Sequence, residues 1–197
     1  MSKDVIDPRR RHLLITASAM GGVGAVASAV PFLASFQPSA RTKAIGAPVE
    51  VNITKLEPGQ RITEQWRGKP VWIVRRSNDT LARLETDVDL LRDPGSEEEQ
   101  QPSYARNPFR SVEPEFLVVV GLCTHLGCSP TYLAPGAPNQ LGSDWHGGFF
   151  CPCHGSKFDL SGRVFKGVPA LLNLLVPPYK FKDTHTLIIG VDEGEVV

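Results

Sequence analysis

Two short stretches, Cys123-Thr124-His125-Leu126-Gly127-Cys128 and Cys151-Pro152-Cys153-His154-Gly155-Ser156, hold all four cysteines of the chain and two of its five histidines. Thiolate and neutral imidazole are the side chains that bind zinc and iron. Each stretch offers one cysteine and one histidine, spaced Cys-x-His in the first and Cys-x-x-His in the second. Brought together they supply two thiolates and two imidazoles, a full set for one metal or for a binuclear cluster. Cys128 and Cys153 are then available for a disulfide tying loop to loop. Zinc uses the same ligand types, but zinc fingers pair two cysteines on one turn with two histidines on another. A thiol-redox C-x-x-C motif is missing, since Cys151-Pro152-Cys153 is C-x-C.

Loops that must meet need a scaffold, and the surrounding sequence reads as strands. Residues 49–53, 69–76, 115–122, 147–151 and 186–191 are short, rich in β-branched and aromatic residues, and bounded by turn formers. The third and fourth of these lead into the two cysteine stretches. Gly (18) and Pro (17) make up nearly 18% of the 197 residues, which favours a loop-rich all-β body over a helical bundle. The fold class expected is all-β, a compact antiparallel domain. Residues 80–92 alone carry apolar spacing suited to a helical turn or two. Residues 93–114 are polar, include Glu97-Glu98-Glu99, and read as a solvated surface insertion.

Lys plus Arg and Asp plus Glu both total 21, so the formal charge is zero. That argues against a nucleic-acid binder built on a basic body. The zero is a cancellation: residues 1–46 carry a net +4 and residues 47–197 a net −4. Leu13 to Phe36 is a run of 24 uncharged residues, roughly 36 Å as a helix and enough to cross a ~30 Å hydrocarbon core. The basic cluster before it, with Arg9-Arg10-Arg11, should stay cytoplasmic and is similar to a twin-arginine export signal. The run is longer than the apolar core of a cleaved signal peptide. The expected layout is a cytoplasmic basic leader (1–12), a transmembrane helix (13–36), a flexible hinge (37–48) and a β domain (49–197).

C-T-H-L-G-C followed by C-P-C-H-G-S resembles the cluster-binding signature of the Rieske iron–sulfur proteins, in particular the membrane-anchored subunit of the cytochrome bc complex. The resemblance covers nearly the whole chain. It implies a Rieske-type antiparallel β domain with a cluster-binding subdomain, preceded by one transmembrane helix, and one 2Fe-2S cluster. By position, Cys123 and Cys151 would bind one iron, and His125 and His154 the other. Imidazole ligands lower the negative charge at one iron, which raises the potential to within about −150 to +300 mV. His125 and His154 would face quinol and accept an electron coupled to a proton. Cys128–Cys153 would be the loop-locking disulfide of an oxidising compartment. Ser156 would hydrogen-bond the cluster, Gly127 and Gly155 would allow close backbone approach and N–H donation to sulfur, and Leu126 would exclude water.

The resemblance also implies partners: a cytochrome b subunit, a c-type cytochrome, quinol, the lipid bilayer and a dimeric complex, with the β domain periplasmic at the bacterial inner membrane. The reaction would be that of a quinol–cytochrome-c reductase, with no nucleic acid involved. The small Rieske subunit of an exported oxidase, such as an arsenite oxidase, is an alternative; a membrane-anchored zinc-binding module is another. The chain departs from the family in two places. Phe158 stands where many members carry a tyrosine that donates to a cysteine sulfur, and the third loop (167–171) reads Gly167-Val168-Pro169-Ala170-Leu171 with one proline of the family pair missing. His12, His146 and His185 read as ordinary side chains, Trp66 and Trp72 as core, and Lys157 and Lys166 as solvated flanks of the site.

Overall fold

The computed structural model describes residues 7–138, 141–142 and 145–192; Lys3 and Asp4 of the basic leader lie outside the described residues. The chain divides into two units, one up to Ala44 and one from Ile45 onward.

The first unit is built on α1 (Pro8–Ser35). This helix begins five residues before the apolar run, because Asp7 accepts the Arg9 N–H as N-cap and Pro8 is preset for the first turn. It therefore contains Arg9, Arg10 and Arg11. Thr16, Ser28 and Ser35 each donate a hydroxyl back to a carbonyl of the same helix, so these donors need nothing from an apolar surrounding. The helix is long and apolar enough to cross a membrane. Within the stretch read as a hinge lies a short helix, α2 (Ala40–Ile45), whose first turn is closed by the Ser39 hydroxyl accepting the Thr42 N–H.

Among the described residues, the second unit carries three three-stranded antiparallel sheets. The first orders β1 (Val49–Asn52), β9 (Thr186–Ile189) and β8 (Tyr179–Asp183), so the two ends of the domain pair. The second orders β2 (Arg61–Trp66), β3 (Lys69–Arg75) and β4 (Phe116–Val120). The third orders β5 (Thr131–Leu133), β6 (Gly148–Phe150) and β7 (Lys157–Phe158). A helix, α3 (Asn78–Thr86), follows β3 and is capped by Ser77 accepting the Thr80 N–H.

β3 and β4 are buried on both faces, which is why they read as continuous apolar runs rather than alternating ones. Val71, Ile73, Leu117, Val118 and Val119 are fully buried, each contributing about 1.5–3 kcal/mol from lost water contact. The second and third sheets meet where Trp72 stacks on Phe149, ring centroids 5.1 Å apart. That ring lies where a Cβ on Gly121 would sit, so the residue closing β4 has no room for a side chain.

The reading of 93–114 as a surface insertion needs correction. Glu97, Glu98 and Glu99 are exposed, but Ser96, Ala105, Arg110 and Ser111 are buried. Arg110 donates to the carbonyls of Ser161 and Gly162 and to Gln101 Oε1. Beside it, buried Arg76 bonds the Ser161 and Ser111 hydroxyls and the carbonyls of Phe109, Pro114 and Leu160. Burial lowers Arg76 to about 9 and Arg110 to about 10. Polar composition here covers both the solvated Glu97-Glu98-Glu99 run and carbonyl-rich turns packed around guanidinium groups.

Candidate metal centre

The two cysteine stretches adopt the same turn. The Cys123 N–H donates to the Cys128 carbonyl at 2.7 Å and the Cys151 N–H to the Ser156 carbonyl at 2.8 Å. Gly127 and Gly155 each return an N–H at 2.9 Å to the carbonyl of the cysteine four residues earlier. The glycine N–H groups thus close the turns, each satisfying a carbonyl of its own loop. β4 delivers the first turn, and β6 and β7 hold the second on either side.

The turns bring the expected side chains together. Cys123 and Cys151 are free thiols, both buried, and hydrogen-bonded to each other. Burial pushes the Cys123 thiol up, while hydrogen bonds from the His125 N–H and the Ser156 hydroxyl pull it back down. The rings of His125 and His154 meet edge to face, centroids 4.9 Å apart. His125 Nδ1 is buried without a hydrogen-bond partner, an arrangement that costs free energy unless its lone pair binds something. His154 is exposed. Leu126 is 71% exposed, and Leu171 of the third loop is exposed as well.

Cys128 and Cys153 form a disulfide with Cα atoms 6.7 Å apart. The Cys151 sulfur lies within 4.8 Å of both bridged sulfurs. The bridged pair offers no thiolate, so proximity of those three sulfurs does not make them a ligand set. The donors fit a metal centre as Cys123, Cys151, His125 and His154: two buried thiols and two facing imidazoles, one with an unsatisfied Nδ1.

One hydroxyl from each turn pins the third loop. Thr124 donates to the Leu172 carbonyl at 2.6 Å, and the Ser156 hydroxyl accepts the Ala170 N–H at 3.0 Å. Thr124 was not singled out in the sequence, since its partner lies 48 residues away. Behind β7, Asp159 and Arg163 form a buried ion pair at 2.7 Å. Asp159 also accepts the N–H groups of Ser161 and Arg163. Their i,i+4 spacing around Ser161-Gly162 was the legible signal. Phe158 is fully buried. His146 lies between Arg83 and Asp87, away from the ligand set. Trp66 and Trp72 are buried as expected. Lys166 donates to the Asp89 carbonyl and Lys157 lies over the Phe165 ring, so neither is merely solvated.

Comparison with known proteins places the chain in a family. Residues 48–180 match the family described as "Rieske [2Fe-2S] domain", and residues 2–39 match "Ubiquitinol-cytochrome C reductase Fe-S subunit TAT signal". The chain is 54% identical to the ubiquinol-cytochrome c reductase iron-sulfur subunit of Allochromatium vinosum, over 98% of this chain and 94% of that one. It is 43% identical to the subunit of that name from Blastochloris viridis, over 96% and 97% of the two chains. For the one from Rhodospirillum rubrum the figures are 41%, 92% and 91%. These relatives do not favour the arsenite-oxidase alternative. The chain belongs to the Rieske 2Fe-2S family, among the ubiquinol-cytochrome c reductase iron–sulfur subunits.

Proposed function

We propose that Cys123 and Cys151 hold one iron of the 2Fe-2S cluster and His125 and His154 the other, and that the chain carries electrons from quinol to a c-type cytochrome. The observation that carries this reading is the pair of matching turns, which present two buried free thiols and two imidazole rings 4.9 Å apart, one with an unsatisfied Nδ1. When bound, the cluster supplies a one-electron acceptor whose potential lies within reach of quinol. The chain's own residues do the rest. With Nδ1 directed inward, His125 leaves Nε2 as the nitrogen that can take a proton as the electron arrives. Exposed His154 is the other imidazole within reach of quinol held by a cytochrome b subunit. Exposed Leu126 and Leu171 give the tip an apolar surface for that docking. Ser156 and the His125 N–H, both donating to Cys123, stabilise negative charge on sulfur.

The layout supporting this role is a cytoplasmic leader (1–12), a membrane span (13–36), a tether (37–48) and a periplasmic head (49–197) in a dimeric complex. The +4 charge on the first 46 residues favours this orientation. With Ala40–Ile45 helical, the tether reaches roughly 30 Å when the rest is extended, enough for the head to move between two docking sites. The test is an EPR spectrum of the reduced full-length chain with potentiometry. The expected result is a g-average below that of four-cysteine ferredoxins, with a midpoint within about −150 to +300 mV. A ferredoxin-like spectrum, or none from iron-replete protein, would overturn the assignment.

A further inference from the structure

The three-sulfur group has chemistry of its own. The Cys151 sulfur lies within 4.8 Å of both sulfurs of the Cys128–Cys153 bridge, and Cys151 is a free thiol. Thiol–disulfide exchange needs an attacking thiolate beside a disulfide and no external oxidant. We propose that, whenever the metal centre is empty, Cys151 attacks the bridge at Cys128 and expels Cys153, so that the centre must be loaded before the bridge can persist.

In that step a Cys128–Cys151 bond forms and the Cys128–Cys153 bond breaks. Cys151 gives up its proton, and the departing Cys153 thiolate takes one, so the count of disulfides and electrons is unchanged. Attack at Cys128 is favoured over attack at Cys153 for two reasons. Cys153 is exposed, so its thiolate leaves into water, whereas Cys128 is half-buried. The product also still ties loop to loop, while a Cys151–Cys153 bond would close a ring across a single residue and leave the loops untied. Exchange removes one of the two thiols that converge on the centre, so it blocks later loading. A bound metal holds the Cys151 sulfur as a ligand and suppresses the attack. The inference rests on Cys151 being a ligand.

The test compares two full-length variants that both lack a ligand, Cys123→Ser and Cys151→Ser, with wild type. Each is purified in detergent under non-reducing conditions, acid-quenched, alkylated and mapped by mass spectrometry. Wild type, shown by EPR to carry its cluster, should keep the Cys128–Cys153 cross-link with no label on Cys153. Cys123→Ser should lose that cross-link, gain a Cys128–Cys151 peptide and label at Cys153. Cys151→Ser should keep Cys128–Cys153 and take label at Cys123 alone. Wild type stripped of iron by a chelator at neutral pH should behave as Cys123→Ser does. Retention of the original bridge in both Cys123→Ser and stripped wild type overturns the proposal, as does scrambling in both variants, which would mark unfolding rather than attack by Cys151. A wild type with no Rieske signal would instead strike at the ligand assignment, a separate failure.

Discussion

Gly127 and Gly155 hold the same place in two turns 28 residues apart: each has φ of +79° and donates its N–H at 2.9 Å to the carbonyl of the cysteine four residues before it. Nothing lies within 4 Å of a Cβ built at either position. The requirement for glycine is therefore one of backbone conformation and not of space. Replacing either with alanine should cost about 1–2 kcal/mol. Thermal unfolding of Gly127→Ala and Gly155→Ala should show similar losses, with faster release of iron to a chelator. A loss confined to one variant would mean that the two turns are not equivalent.

Ser156 serves two loops at once, donating to the Cys123 sulfur and accepting from the Ala170 N–H. Ser156→Ala should lower the reduction potential by tens of mV, since a hydrogen bond of roughly 1 kcal/mol that favours negative charge is lost. Phe158→Tyr should move the potential the other way by restoring a phenol donor. Potentiometry with an unchanged EPR line shape checks both. An unchanged potential in Ser156→Ala would remove its hydroxyl from the list of groups that tune the centre.

Asp159→Asn should be among the most damaging substitutions away from the ligands. Its carboxylate takes three donors, and its partner Arg163 is fully buried. Leaving that guanidinium unpaired should cost about 3–5 kcal/mol, read as a lowered denaturant midpoint by circular dichroism. A double change, Asp159→Leu with Arg163→Met, should recover part of the loss.

Tyr179 sets an alkaline dependence. Burial raises its phenol above the ordinary value of 10.0, against a lowering hydrogen bond from the Val112 N–H. The folded state keeps a proton that the unfolded chain releases, so this contribution is whole below pH ~10 and falls by about 1.4 kcal/mol per pH unit above it. Arg76, lowered to about 9 by burial, acts oppositely: the burden of its buried charge is present below pH 9 and eases above it. The stability difference between wild type and Tyr179→Phe should therefore shrink steadily from pH 10 to 11. A constant difference across that range would rule out the titration of Tyr179.

The chain's sequence, taken alone, carried the chemistry and much of the scaffold. Two thiols and two imidazoles at matched spacings are local information, as are the β-branched runs that became β3, β4, β6 and β9 and the uncharged run within α1. β2 and β8 were not among the stretches read as strands, although Tyr179 and Phe181 alternate with Lys180 and Lys182. β5 and β7, of three and two residues, are too short to show a period. Tertiary structure alone decided which polar groups are inside. Arg110 and Ser96 look solvent-facing until the Ser161-Gly162 turn, some 50 residues on, supplies carbonyls for a guanidinium. It likewise decided that Thr124 meets Leu172 and that Cys151 lies within 4.8 Å of the Cys128–Cys153 bridge. The physical reason is common to all of these: a polar group's free energy depends on the partner it meets after folding, and that partner is distant in the chain.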